Sequence, residues 1–186
     1  MTSLSLDDAN GGAQVTVVLP AYNHARYVVE AIDSVRAQTF THWELIVIDD
    51  GSTDDTLAVL QAYVAQCDDP RIRLLSQSNA GSHATLNRGL EMARTPYLAI
   101  LNSDDRYAPN RLQRLVEIAA AAEGDVFITT GVRLIGEDGE PLPQEHWWNL
   151  MYKDILEHWS RVCSSAMNPA VDALLWGNFT VSTSNF

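Results

Sequence analysis

Five short apolar runs, at residues 15–19, 44–48, 71–75, 97–101 and 125–129, recur along the chain at a nearly regular interval. Between them the apolar positions take helical spacing: Tyr27, Ile32 and Val35; then Leu57, Leu60 and Val64; then Leu86, Leu90 and Ala93; then Leu112, Leu115, Ile118 and Ala119. The runs are continuous rather than alternating, as strands covered on both faces require. Strands that alternate with helices of this length are βαβ units, so the pattern predicts an α/β protein with a mostly parallel sheet flanked by helices. In open sheets of this kind, ligands sit outside the carboxyl ends of the strands. The residues after Leu19, Ile48 and Leu101 are therefore the first places to look for chemistry.

The regularity fades after Thr130. Gly136-Glu137-Asp138-Gly139 has the composition of a hairpin turn, and His146-Trp147-Trp148 forms an aromatic cluster suited to packing or to stacking on a sugar. Residues 149–163 have helical character, and 178–186 alternate as a strand does. A chain that stops in mid-strand reads as part of a longer protein. The expected organisation is a flexible leader at 1–14, a ligand-binding portion at 15–130, and the start of a second, incomplete portion at 131–186.

Length and composition narrow the picture. A chain of 186 residues, 46% hydrophobic and 19% charged, suits one sizeable α/β domain. No apolar run approaches the roughly 18 residues of a membrane span, and residues 1–14 lack the basic and apolar regions of a secretory signal. Twelve basic against twenty-four acidic residues leave a net charge of −12, which argues against a nucleic-acid backbone or an anionic membrane as the main partner. A phosphorylated ligand would then need a metal ion, a helix N-terminus or a local cation to hold it. Cys67 and Cys163 lie far apart in sequence, and free thiols in a reducing cytoplasm are expected.

The strongest local signal is Ile48-Asp49-Asp50-Gly51-Ser52-Thr53-Asp54. A buried strand delivers two carboxylates at its carboxyl end, and Gly51 permits a tight turn. Ser52, with Asp55 three residues on, reads as the N-cap of the next helix. Capping does not explain Asp49 and Asp50, whose burial would be costly; a carboxylate there can accept from a nucleobase N–H or from ribose hydroxyls. The second signal is Leu101-Asn102-Ser103-Asp104-Asp105. Adjacent carboxylates repel unless a cation lies beside them, and magnesium characteristically combines few protein ligands with substrate phosphates. Tyr22 and Asn23, after Leu19-Pro20-Ala21, offer a ring face and an amide. Asn79-Ala80-Gly81-Ser82-His83 opens a helix whose N-terminus suits a phosphate, with His83 or Arg88 nearby, or is a solvated cap.

Together these motifs resemble the family 2 glycosyltransferases, inverting enzymes of the GT-A (Rossmann-like) fold. The resemblance covers about residues 15–115 and rests on Val17-Val18-Leu19-Pro20-Ala21-Tyr22-Asn23, residues 34–40, Asp49-Asp50-Gly51-Ser52-Thr53-Asp54, Asn79-Ala80-Gly81 with Asn87-Arg88-Gly89, and Asn102-Ser103-Asp104-Asp105. It implies a donor site built from Pro20, Tyr22, Asn23, Asp49, Asp50, Asn79, Gly81, Ser103 and Asp104. Tyr22 and Asp50 would hold the nucleoside and Asp49 would support that loop. Asp104 and Asp105 would form a DxD-type site for Mg²⁺ or Mn²⁺ and the diphosphate. The implied partners are a nucleotide-sugar, UDP-linked, and a glycan or lipid-linked acceptor, in the cytoplasm or at the inner face of the membrane. Asn102 stands where the family often has Asp. The family's general base falls downstream of a strand like 179–186, so it is expected beyond Phe186; Glu157 and Asp172 stand in no base motif. Two other enzyme classes fit less well. Residues 21–27 lack the Gly-rich basic loop of a nucleotidyltransferase, and no G-x-G-x-x-G follows the first strand as a dinucleotide-dependent dehydrogenase would need. A non-catalytic nucleotide-sugar-binding module is the remaining alternative.

Overall fold

The computed structural model describes residues 12–124 without a break, and beyond them 126–128, 130, 133–137, 139–143 and 145–147. By its contacts the chain divides into two compact units, Met1–Ala122 and Glu123–Phe186. In the first, strands and helices alternate: β1 (Val15–Ala21), α1 (Val28–Arg36), β2 (Trp43–Asp49), α2 (Thr56–Cys67), β3 (Ile72–Ser76), α3 (Ser82–Met92), β4 (Tyr97–Ile100) and α4 (Arg111–Ala121). The strands form one parallel sheet in the order β3-β2-β1-β4. Each of the first four expected strands is present to within two residues.

The strand order follows from connection geometry. Right-handed crossovers from β1 to β2 to β3 carry α1 and α2 over one face, and α1 packs on α2. The return from β3 to β4 takes α3 over the other face, against β1 and β2. The two faces divide the strand residues by the period of two. Val15, Val17, Leu19, Ala21, Leu45 and Val47 join Val28, Ala31, Ile32, Val35 and Leu60 in the core. Val18, Ile46 and Ile48 are equally buried but lie outside that cluster, on the side of α3. Pro20 is tolerated in a strand flanked on both sides because pairing with β4 stops at Val18.

Several expectations need correction. The apolar stripe Leu86, Leu90 and Ala93 is only half-buried, and α3 instead buries Thr85 and Gly89. The reason is the closeness of helix and sheet: a Cβ at Gly89 would lie 2.3 Å from Cγ1 of Val18. Gly89→Ala is therefore expected to cost about 1–3 kcal/mol by overpacking. Chemical denaturation checks this, and Gly89→Ala combined with Val18→Ala should recover part of the loss. The expected strand at 125–129 is not formed at 126–128, which carry no strand pairing. Val126 and Phe127 are exposed, Phe127 by 74%, so the two-sided burial that its apolar run implied is not supplied.

In the second unit the expected hairpin is present. Ile135 and Pro141 bridge antiparallel, Gly136 N–H donates to Glu140 O (2.8 Å), and Leu142 N–H donates to Leu134 O (3.0 Å). Trp147 is exposed and stacks on His146, with ring centroids 6.2 Å apart. Trp148, the helix expected at 149–163, Cys163, the strand expected at 178–186 and most of the leader lie outside the described residues. Gln14 is already bonded to the sheet, donating to His42 O and accepting from Tyr97 N–H. Cys67 is a free thiol. Among the described residues no helix is long and apolar enough to cross a membrane.

Candidate donor-binding site

The loops that follow β1, β2, β3 and β4 all leave the carboxyl edge of the sheet, and hydrogen bonds tie them to one another. Asp50 N–H donates to Ala21 O (2.8 Å), and Gln77 N–H donates to Asp49 O (3.0 Å). Asn23, in the left-handed region at φ 55°, accepts at Oδ1 from Thr53 N–H (2.8 Å) and Asp54 N–H (3.3 Å). Its own N–H donates to Ser52 Oγ (3.1 Å). Asparagine tolerates that backbone because its short amide bonds locally. Ser52 is thus not the cap of α2. The helix begins four residues later at Thr56, whose N–H donates to Asp54 Oδ1 (2.9 Å). The Ser-x-x-Asp spacing predicted a cap, but Asn23, 29 residues away in sequence, competes for that hydroxyl.

Asp50 is 3% exposed and accepts three hydrogen bonds from the loop after β3: Gln77 Nε2 (2.7 Å) and Ala80 N–H (2.9 Å) on Oδ1, and Gly81 N–H (2.9 Å) on Oδ2. The N-terminus of α3, read from the sequence as a phosphate site or a solvated cap, holds this carboxylate. Gln77 is fixed in turn by Arg88, whose Nη1 donates to Gln77 Oε1 (2.7 Å). Gly81 takes φ +88°, which only glycine adopts readily.

Asp49, the last residue of β2, is 1% exposed. Its Oδ2 accepts from Ser52 N–H and Ser76 Oγ, both at 3.3 Å. Its Oδ1 is buried and has no hydrogen-bond partner among the described residues. Tyr22, 44% exposed, follows Ala21, the β1 residue that pairs with Asp49, and Asn79 is exposed in the loop after β3.

The loop after β4 carries Ser103, Asp104 and Asp105. Ser103 is 2% exposed and its Oγ pairs with His24 Nδ1 at 2.7 Å. Asp104 Oδ1 is buried without a hydrogen-bond partner among the described residues. Burial, and next the adjacent Asp105 carboxylate, push the Asp104 pKa above its ordinary 3.8, against an opposing pull from His24. Asn102 Nδ2 donates to Asp105 Oδ2 (2.9 Å). Where the family often has a third carboxylate, this chain therefore has an amide that orients Asp105. The far end of the loop is anchored by Tyr107, whose hydroxyl donates to Ile100 O (2.6 Å) and whose N–H donates to Ser34 Oγ (3.0 Å). Burial pushes the Tyr107 pKa up to about 12. Gln38 completes the anchorage: Nε2 donates to Ala108 O (2.8 Å), and Oε1 accepts Leu112 N–H (2.9 Å) at the start of α4. This gives residues 34–40 a physical task.

Asp104 and Asp105 present hard oxygen donors, one of them buried and unpartnered, which suits a divalent cation. Among the described residues no group of three or more His, Cys, Asp and Glu is placed to hold a metal ion. The fit is thus to a cation that completes its shell with ligand phosphates rather than to an all-protein cage.

Three carboxylates contribute stability that is lost in acid. For Asp50, burial alone would raise the pKa, but bonds from Gln77, Ala80, Thr85 and Gly81 outweigh it and hold it below 3.8. Asp54 is likewise lowered, burial being outweighed mainly by Thr56. Asp69 is lowered chiefly by its bond from Arg71. A folded pKa below the unfolded value gives stability that is present above about pH 3.8 and lost as pH falls through the folded values. Denaturation measured from pH 6 down to about pH 2 should show that slope, and Asp50→Asn should flatten it.

Residues 16–168 match the model of the glycosyl transferase family 2. TuaG of Bacillus subtilis (strain 168), named as a teichuronic acid biosynthesis glycosyltransferase, is 34% identical over 156 residues, 82% of this chain and 61% of that protein. The succinoglycan biosynthesis protein ExoO of Rhizobium meliloti (strain 1021) is 39% identical over 129 residues, 69% of this chain and 36% of that one. The chain thus spans less than two thirds of the length of either relative. Among solved structures, the mannosyltransferase PcManGT from Pyrobaculum calidifontis, in complex with GDP-Man and Mn²⁺, superposes with a TM-score of 0.54 at 27% identity, covering 57% of this chain and 32% of that one. S. aureus TarS 1-349 in complex with UDP gives 0.52 at 25%, with the same two coverages. The sheet is that of the GT-A fold. With its sheet order, its strand-end carboxylates and a family match over most of its length, the chain belongs to glycosyl transferase family 2.

Proposed function

We propose that residues 15–130 are the donor-binding portion of a glycosyltransferase that takes a nucleoside-diphosphate sugar, uridine-linked, and transfers the sugar with inversion to a glycan or lipid-linked acceptor. The observation that carries this reading is the meeting of four loops at one sheet edge, with two buried carboxylate oxygens, Asp49 Oδ1 and Asp104 Oδ1, left without partners. Buried polar atoms are nearly always bonded, so such a pair is what a site completed by its ligand leaves behind.

In this reading Tyr22 packs on the base, and Asp50 accepts a base N–H. Asp49 accepts from the ligand or from a bound water, while Asn23, Pro20, Asn79 and Gly81 shape the floor. Asp104 and Asp105 would hold Mg²⁺ or Mn²⁺ beside the diphosphate. A cation there would offset the chain's net charge of −12 and stabilise the leaving diphosphate. The protein's own part is to hold the donor, orient the diphosphate and keep the anomeric carbon accessible to the acceptor. The group that deprotonates the acceptor is assigned to none of these loops. The relatives' names point to polysaccharide biosynthesis, and the setting proposed for this chain is the cytoplasm, at the inner face of a membrane.

A panel of nucleotide-sugars screened by thermal shift, with and without Mn²⁺, tests the reading. At least one UDP-sugar should raise the melting temperature in Mn²⁺. No shift from any UDP- or GDP-sugar would overturn it.

A further inference from the structure

We infer that His24 is a positioning residue that locks the loop carrying Asp104 and Asp105 to the loop carrying Tyr22, so that the nucleoside and diphosphate halves of the donor site move as one. The inference rests on the donor-site reading and adds a residue to it.

His24 is committed in three directions. Its N–H donates to Thr56 Oγ1 (2.8 Å) at the start of α2, its Nδ1 pairs with Ser103 Oγ (2.7 Å), and its ring meets Tyr27 edge-on, centroids 6.4 Å apart. The Ser103 contact spans 79 residues and joins the first strand-end loop to the last. Ser103, 2% exposed, cannot turn to water if the imidazole is lost. A buried hydroxyl without a partner is costly enough to drive the loop to rearrange. Asp104 is the next residue, so any shift of Ser103 is passed to its carboxylate. Displacements of about 1 Å are enough to weaken a positioned contact severely. The residue is otherwise unremarkable in sequence: nothing about a histidine after Asn23 announces a bond to position 103.

The geometry also specifies what can replace it. The amide of Asn lies the same number of bonds from the backbone as Nδ1, whereas that of Gln reaches toward Nε2. His24→Asn can therefore keep the bond to Ser103, and His24→Gln cannot keep it in place.

The test uses calorimetry with UDP and GDP in Mn²⁺, and with uridine and guanosine alone, on wild type, His24→Gln, His24→Asn, Ser103→Ala and the His24→Gln/Ser103→Ala double variant. Thermal unfolding confirms that each is folded. For the diphosphate that wild type binds more tightly, His24→Gln should weaken binding about tenfold, with binding of its nucleoside unchanged. His24→Asn should restore most of the diphosphate affinity. The double variant should be no weaker than Ser103→Ala, because both changes break one link. Equal diphosphate binding by wild type and His24→Gln, no rescue by Asn, or additive losses in the double variant would each overturn the inference while leaving the donor site intact. If His24→Gln does not fold, the comparison of His24→Asn with Ser103→Ala decides: weakening by Ser103→Ala but not by His24→Asn supports the link, and equal weakening overturns it. Wild type that binds neither diphosphate would overturn the donor-site reading, and this inference with it.

Discussion

Gly51→Ala should lose about 2–5 kcal/mol of stability and most of the nucleotide affinity together. Two effects add. Gly51 sits at φ +68°, where an L-residue costs about 1–2 kcal/mol. An added Cβ would also lie 2.7 Å from Asn79 N and 3.2 Å from Gln77 O. Both are backbone atoms, so no side chain can rotate away, and overpacking of this kind adds about 1–3 kcal/mol. The loop that must retreat is the one whose Gln77, Ala80 and Gly81 donors hold Asp50. Urea denaturation and nucleotide calorimetry on the same preparation check the coupled loss. Stability and affinity both within about 0.5 kcal/mol of wild type would show that the loops do not press on each other there.

Asp50→Ala should be nearly as damaging, and its signature differs. Removing the carboxylate strands Ala80 N–H, Gly81 N–H and the Gln77 amide, each a former charge-assisted bond, for a loss of about 2–4 kcal/mol in stability. On the proposed reading Asp50 also receives a base N–H, so affinity for UDP and for uridine should fall by the same factor. A variant that binds uridine normally would leave Asp50 as a structural anchor only and would move base recognition to its neighbour Asp49.

The sequence made some of this legible and concealed the rest for a physical reason. Continuous apolar runs located all four strands of the sheet, because two-sided burial leaves its mark on consecutive residues. The same logic misread 126–128, where an apolar run stays exposed. The places where chemistry would gather could be read from the strand ends, and Asp49, Asp50, Asp104 and Asp105 stand there. What could not be read was the pairing. Asp50 bonds 30 and 31 residues downstream, and His24 bonds 79 residues away. Local spacing instead suggested that Ser52 caps α2, and left the start of α3 as either a phosphate site or a solvated cap. Short-range patterns reveal which residues are able to bond, and only the fold decides with whom. Asn102 illustrates this: it stands where the family often has Asp, and its amide is bonded to Asp105.

The central claim is that Asp104 and Asp105 join a divalent cation to the donor's diphosphate. Calorimetric titration of UDP and of GDP into wild type and Asp105→Ala, each in Mn²⁺ and in EDTA, tests it directly. Wild type should bind at least one of the two diphosphates in Mn²⁺ and lose most of that affinity in EDTA. Asp105→Ala in Mn²⁺ should fall by about 1–3 kcal/mol, the worth of a lost charge-assisted contact, and should respond little to EDTA. Wild-type binding of equal strength in Mn²⁺ and in EDTA would contradict the claim.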